Sequence, residues 1–247
     1  MQLKDKNVVI IGGSGGVGRV IAQTASDEGA HVLAVARRPE PLAELESHIP
    51  GLKTLNADAT LDNAPGEVFA ALRPDVLVLC GGARPPLRPI HEQTWDEFSQ
   101  NWNNDVRSSF LFCQAALQMP LAPGTVIVLI SSGAGIGGSA ISGGYAGSKR
   151  MQMFMAEYCQ SESDRHNLGL RFITLVPSRI MPDTELGHSA VSAYAERLGI
   201  PIAEFIKESA SAQTPQDMAN ALVSIAADPD GIKGSVFVVS GEGVKPY

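Results

Sequence analysis

The sequence predicts an α/β fold: one doubly wound domain whose seven-stranded, mainly parallel sheet carries helices on both faces. Three observations predict it. Short β-branched runs alternate with longer stretches of helical periodicity. A glycine-rich turn follows the first run directly and opens a helix. No internal repeat or low-complexity linker divides the 247 residues, so one domain is the simplest organisation.

The elements follow in order. Val8 to Ile11 reads as a buried strand, and Val17 to Glu28 as a helix with Val17, Val20, Ile21 and Ala25 on one face. His31 to Ala36 is a second strand, Leu42 to Glu46 lies in a short helix, and Leu52 to Asn56 and Val76 to Cys80 are strands three and four. A long helical stretch runs from about Thr94 to Met119 and stops near Pro120. Thr125 to Ser131 is a strongly apolar fifth strand, Tyr145 to about His166 a helix, Leu170 to Val176 strand six and Ser235 to Val239 strand seven. Right-handed crossovers in such an order bring the strand C-termini to one edge, where ligands bind. The segment from about Pro182 to Ser211 interrupts the alternation with weak helices at Ala190 to Leu198 and Ile202 to Glu208, ahead of a helix near Pro215. An insertion at the ligand edge is expected to act as a substrate lid.

Composition narrows the function. The chain is 44% hydrophobic and carries a net charge of -7. It has no clustered Lys/Arg stripe, which argues against nucleic acid as a partner. Cys80, Cys113 and Cys159 form no CxxC pair and no Cys/His cluster has zinc spacing, so no metal is expected and the cysteines read as small apolar core residues. The apolar run after the N-terminus is too short for a signal segment, and no stretch approaches the roughly 20 apolar residues of a spanning helix. The expectation is a soluble, cytoplasmic protein without a membrane partner.

Gly12-Gly13-Ser14-Gly15-Gly16-Val17-Gly18 sits between strand and helix. Glycines let the backbone approach a pyrophosphate, and the helix N-terminus offers free N–H groups and partial positive charge. The spacing Gly12-x-x-x-Gly16-x-Gly18 resembles the loop of the short-chain dehydrogenase/reductase family, with Ile11 where that family often has Thr. The resemblance implies a Rossmann-type domain that binds a nicotinamide dinucleotide. The second strand ends Val35-Ala36-Arg37-Arg38. Ala36 stands where a carboxylate would hold the ribose 2′-OH of NAD, and Arg37 offers a guanidinium for a 2′-phosphate. This favours NADP(H) over NAD(H), although the two arginines also read as a solvated surface pair. Asp58 resembles the family's acid at the adenine ring and reads equally as a loop acid or helix cap.

Tyr145 and Lys149 share a helix face at i and i+4. A phenol is a poor acid–base group at neutral pH, and a nearby ammonium stabilises its phenolate. Ser132 lies 13 residues upstream, just past the apolar fifth strand. The set is similar to the family's Ser…Tyr-x-x-x-Lys arrangement. It implies Tyr145 as proton donor or acceptor on the substrate oxygen, Ser132 as its hydrogen-bond partner, and Lys149 on the nicotinamide ribose. Strand alternation points the neighbouring Ser131 elsewhere. The family's fourth position, an Asn, falls on Asp105 beside Asn104; an acid there faces Lys149 and either serves the same relay or is a structural helix acid.

The resemblance extends the cofactor site to Ser14, Gly15, Val17, Arg38, Ala59, Gly81, Gly82, Pro177 and Ile180. Several positions depart from the family pattern. Cys80-Gly81-Gly82 replaces Asn-Ala-Gly, Ser178 replaces a glycine, Pro182 stands near a usual Thr that Thr184 could replace, and Ser240 replaces an Asp. The implied activity is carbonyl–alcohol interconversion of a small-molecule substrate. The implied assembly is a homo-oligomer, a dimer or tetramer. The alternative is a catalytically inactive NADP(H)-binding redox-sensing regulator on the same fold.

Overall fold

A computed structural model describes residues 1–119, 121–209 and 213–247. The first half alternates strictly: β1 (Asn7–Ile11), α1 (Gly16–Asp27), β2 (His31–Ala36), α2 (Pro39–His48), β3 (Lys53–Asn56), α3 (Ala64–Ala71) and β4 (Val76–Leu79). Then come α4 (Trp95–Asn101), a π-helical segment (Trp102–Val106), α5 (Arg107–Gln118), β5 (Val126–Ile130), the single turn α6 (Ala134–Gly137), α7 (Tyr145–Arg165) and β6 (Arg171–Pro177). The chain closes with α8 (Glu185–Leu198), α9 (Ile202–Ser209), α10 (Pro215–Ala227), β7 (Val236–Ser240) and β8 (Gly243–Pro246).

The strands form one sheet in the order β3-β2-β1-β4-β5-β6-β7-β8, parallel except for β8, which pairs antiparallel with β7. The order reverses at β1 and β4, the switch point at which such sheets open a crevice. Strand alternation divides the core. Val8 and Ile10 of β1 and Val76 and Val78 of β4 pack with α1 and α10 residues such as Ile21 and Leu222. Val9, Ile11, Leu77 and Leu79 face the other way, against Phe112 of α5 and Met155 of α7. Central strands buried on both faces read as unbroken apolar runs, which made them legible.

The expected seven strands are eight. Gly243–Pro246 was not foreseen because a four-residue edge strand holding Lys245 and Pro246 carries no β pattern; charge and proline suit an edge. Helix α3 was hidden by Pro65 and Gly66, yet Pro65 sits in the first turn, where its missing N–H costs nothing. The long helix from Thr94 is three pieces. Thr94 and Glu97 close a capping box on α4, and the ladder then widens so that the Arg107 N–H reaches the Trp102 carbonyl. Its expected stop at Pro120 lies outside the described residues, as does the end of the 182–211 insertion at Ser211. Within that insertion α8 begins five residues earlier than its periodicity suggested, because Thr184 caps it, and ends at Gly199 in the left-handed region (φ 68°).

Candidate active site

Two adjoining cavities of about 390 and 600 Å³ open at the C-terminal edge of the sheet, and both touch Gly15, Cys80 and Gly82. The first is lined by Gly12, Ser14, Gly15, Ala36, Arg37, Arg38, Asp58, Ala59, Gly81 and Gly82. The second is lined by Gly16, Val17, Asp105, Ser132, Tyr145, Lys149, Pro177 and Ile180. Gly18 alone of the expected site residues lines neither. A Cβ there would stand 2.2 Å from the Gly12 carbonyl oxygen, so this glycine packs the helix onto the turn.

The glycine loop is built to leave space. Gly12 adopts φ 83°, and a Cβ there would meet the Gly81 backbone at 2.5 Å. At Gly15 and Gly16 a Cβ would meet nothing within 4 Å, so the loop faces open volume. The N-terminus of α1 has no side-chain cap and no acid in its first turn. Its free N–H groups, the glycine cradle and the exposed guanidinium of Arg37 fit a dinucleotide and its phosphates. The Arg37 guanidinium lies 3.4 Å from the Asn104 side-chain oxygen. Asp58 Oδ1 accepts from the Thr60 backbone N–H (3.0 Å) and the Thr60 hydroxyl (2.8 Å), the turn-capping geometry, while the residue also lines the first cavity. The Thr60 N–H holds its carboxyl below the ordinary value, with partial burial opposing and the Thr60 hydroxyl and Arg37 assisting.

The second cavity holds the acid–base candidates. The end of β5 delivers Ser131 and Ser132, and the start of α7 delivers Tyr145 and Lys149. Ser131 Oγ donates to the Lys149 carbonyl at 2.7 Å and is spent on anchoring α7. Ser132 Oγ accepts from the Ala134 N–H at 3.2 Å, which leaves its hydroxyl proton free to donate. The Lys149 ammonium lies 5.5 Å from the Tyr145 ring centre. It also lies 3.1 Å from Asp105 Oδ2, an ion pair without hydrogen-bond alignment. Asp105 is fully buried, with its Oδ1 accepting from the Ala83 N–H (2.9 Å) and the Asn101 amide (3.2 Å). Gly82 is required by this acid, since a Cβ there would sit 2.5 Å from Asp105 Oδ2. Burial alone would push the Lys149 ammonium down; Asp105 and then Tyr145 outweigh it and hold the group above the ordinary lysine value. Burial pushes the Cys80 thiol up to about 11 against the pull of Lys149, which disfavours the nucleophilic thiolate.

Several neighbours were not foreseen. Gln152, buried on α7, and Ser109, buried on α5, join Lys149 in one polar chain. Gln213 accepts from the Arg179 N–H (2.9 Å) and the Ser178 hydroxyl (3.2 Å) and donates to the Val239 carbonyl (2.9 Å), fixing the turn after β6. Thr184, considered as a cofactor contact, directs its hydroxyl to the cap of α8. The insertion covers the second cavity with Leu186, Tyr194 and Phe205. It is tied down by an Arg84–Glu185 ion pair and by a hydrogen bond between the Tyr194 and Ser139 hydroxyls. Among the described residues, no group of three or more His, Cys, Asp or Glu could hold a metal, and no helix is long and apolar enough to cross a membrane.

A sequence profile described as short chain dehydrogenase matches residues 6–194. An oxidoreductase of Mycobacterium tuberculosis, described as uncharacterized, is 26% identical over 97% of this chain and 92% of its own length. L-xylulose reductase of Mesocricetus auratus is 28% identical over 53% of this chain and 55% of its own. A crystal structure of a short-chain dehydrogenase/reductase of the glucose/ribitol dehydrogenase type from Brucella melitensis superposes with a TM-score of 0.81. It covers 96% of this chain and 95% of that one at 17% identity.

Proposed function

The chain belongs to the short-chain dehydrogenase family, and from that premise we propose that it interconverts a carbonyl and an alcohol by NADP(H)-dependent hydride transfer. The family is one of oxidoreductases that use NAD(P)(H). The observation that carries the reading is the convergence of Ser132, Tyr145 and Lys149 on one cavity beside the open glycine loop.

A nicotinamide cofactor, when bound, would supply the hydride chemistry. The chain's own groups do the rest. The Tyr145 hydroxyl gives or takes the proton on the substrate oxygen. The Ser132 hydroxyl donates to that oxygen and stabilises its developing charge. Lys149 keeps a positive charge beside Tyr145, and Asp105 fixes the ammonium in place. Gly12, Ser14, Gly15 and Gly16 would hold a pyrophosphate at the start of α1, with Gly18 setting the approach of helix to turn. Ala36, Arg37 and Arg38 would favour a 2′-phosphate, Asp58 and Ala59 would border the adenine, and Gly81, Gly82, Pro177 and Ile180 would border the nicotinamide half.

The whole chain acts as one Rossmann-type domain in which residues 182–211 form the substrate lid. The second cavity has an apolar wall from Leu87, Ile180, Met181, Leu186, Tyr194 and Phe205, which suits a carbonyl compound with an apolar body. Trp102 and Phe110, about half exposed on the π-helical segment and α5, and Tyr158 on α7 suit burial against a second copy of the chain.

A second reading, a cofactor-binding redox sensor without turnover, draws on Lys149, which donates to the Ile130 carbonyl and Gln152 and pairs with Asp105, all protein groups. The test is NADPH consumption against a panel of ketones, aldehydes and quinones, with NADH and Tyr145→Phe run in parallel. Turnover lost in Tyr145→Phe supports the enzyme. Saturable NADPH binding with no turnover, and Tyr145→Phe indistinguishable from wild type, favours the sensor.

A further inference from the structure

Lys149 is held by more than its ion pair. An ammonium carries three donors. One faces the Ile130 carbonyl at the end of β5 (3.2 Å), one faces Gln152 Oε1 (3.1 Å), and the Asp105 carboxylate lies at 3.1 Å. Gln152 is fully buried and stands between Met151 and Met153 on α7, where an apolar side chain would leave no group to satisfy. Its Nε2 donates to Ser109 Oγ at 2.8 Å, and Ser109 is itself buried on α5. The ammonium, which can only donate, decides which end of the amide meets it, and the Ser109 hydroxyl anchors the other end as acceptor. With the ends exchanged, an NH2 group would face an NH3⁺ group. The helix backbone here is pinned as well, since Thr174 Oγ1 donates to the Gln152 carbonyl at 3.3 Å and Ser131 Oγ to that of Lys149. The titratable groups facing the ammonium are Asp105 from the π-helical segment, Tyr145 from its own helix and Cys80 from the end of β4.

We propose that Gln152, oriented by Ser109, is a positioning residue that fixes the Lys149 ammonium between Asp105 and Tyr145. Its kinetic consequence rests on the dehydrogenase reading above; the arrangement itself does not. Removing the glutamine oxygen takes one acceptor from a buried cation and favours the neutral amine. Replacing it with a carboxylate does the opposite. Loosening of the helix would act in one direction for both changes, so the two substitutions separate positioning from mere packing.

The test is competitive labelling of the whole protein with trace acetic anhydride at pH 8, reading Lys149 by mass spectrometry. Loss of one hydrogen bond to a charged group predicts labelling about tenfold faster in Gln152→Leu. Gln152→Glu should label more slowly than wild type. Ser109→Ala should move the rate toward that of Gln152→Leu by a smaller factor, and should add nothing in the Gln152→Leu background. Leu and Glu variants that shift in the same direction, or a change under twofold, overturn the proposal. Should Gln152→Leu fail to fold, Ser109→Ala and Gln152→Glu still decide it. No substrate is needed, so a chain without turnover can pass this test, and turnover with unmoved labelling defeats this inference alone.

Discussion

Replacing Lys149 with methionine isolates the buried charge it opposes. Asp105 would then lie in the protein interior with two donors on Oδ1 and none on Oδ2. If the carboxylate stays ionised, breaking such a pair costs about 3–5 kcal/mol. The alternative is to take up a proton, which for an ordinary aspartate near 3.9 costs about 4 kcal/mol at pH 7 and about 1.5 kcal/mol at pH 5. The cheaper route sets the loss, so Lys149→Met should lose about 3–4 kcal/mol at pH 7 and about 1.5 kcal/mol at pH 5. The sign follows from linkage: an unfolded aspartate is already ionised across this range, so a folded variant that holds a proton weakens as pH rises. Wild type behaves otherwise. Lys149 is held above its ordinary value, so its contribution is complete below about 10.4 and fades only as pH rises through its folded value. Urea unfolding at both pH values measures the difference, and adding Asp105→Asn to Lys149→Met should restore most of it. A loss under about 1 kcal/mol at pH 7 would refute the buried pair. Equal losses at the two pH values, or no recovery in the double variant, would do the same.

Three further outcomes are expected. Ala36→Asp places a carboxylate beside Arg37 and the 2′-phosphate position. By fluorescence titration, NADPH affinity should fall about 10- to 100-fold while NADH affinity holds or improves, and an unchanged ratio would remove Arg37 from the cofactor site. Asp105→Asn leaves the ammonium uncompensated beside Tyr145. The acid limb of the kcat profile should move about one unit to lower pH, and an unmoved limb would count against Asp105 in the proton relay. Cys80, with its thiol at about 11, should react with iodoacetamide at pH 8 roughly a hundredfold more slowly than a free cysteine, and rapid alkylation would refute a thiol kept protonated by burial.

The features legible in the sequence are those whose geometry is local. Tyr145 and Lys149 are one helical turn apart, and Ser132 lies just past an apolar strand whose direction follows from its neighbours. The glycine loop was readable because strand, turn and helix follow without a gap. The alternating faces of β1 and β4 set two cores that any parallel sheet with helices on both sides must have. Gln152 was not legible, although a glutamine set in the run Met151-Gln152-Met153 on the face of Lys149 is a polar residue at an apolar position. Its meaning depends on Ser109, which is 43 residues away and meets it only when α5 packs on α7. Gln213 likewise reads as a loop residue until β7 brings the Val239 carbonyl beside it. The eighth strand and α3 escaped because proline and glycine interrupt patterns whose stability comes from packing and position. Trp102 and Phe110 are about half exposed, so neither is a core residue.

The widened helical turn at Trp102–Val106 has a bearing on how this chain tolerates change. An α-helix turns its side chains by about 100° for each residue gained or lost, and a widened turn absorbs one surplus residue without shifting the helices on either side. Deleting a single residue here would restore a regular helix, the outcome that propensity favours. The same deletion would swing residues within the turn, Asp105 among them, out of register with Lys149. A shortened and better-formed helix would therefore be a poorer site, and among descendants of this sequence, length in this segment should vary less than residue identity.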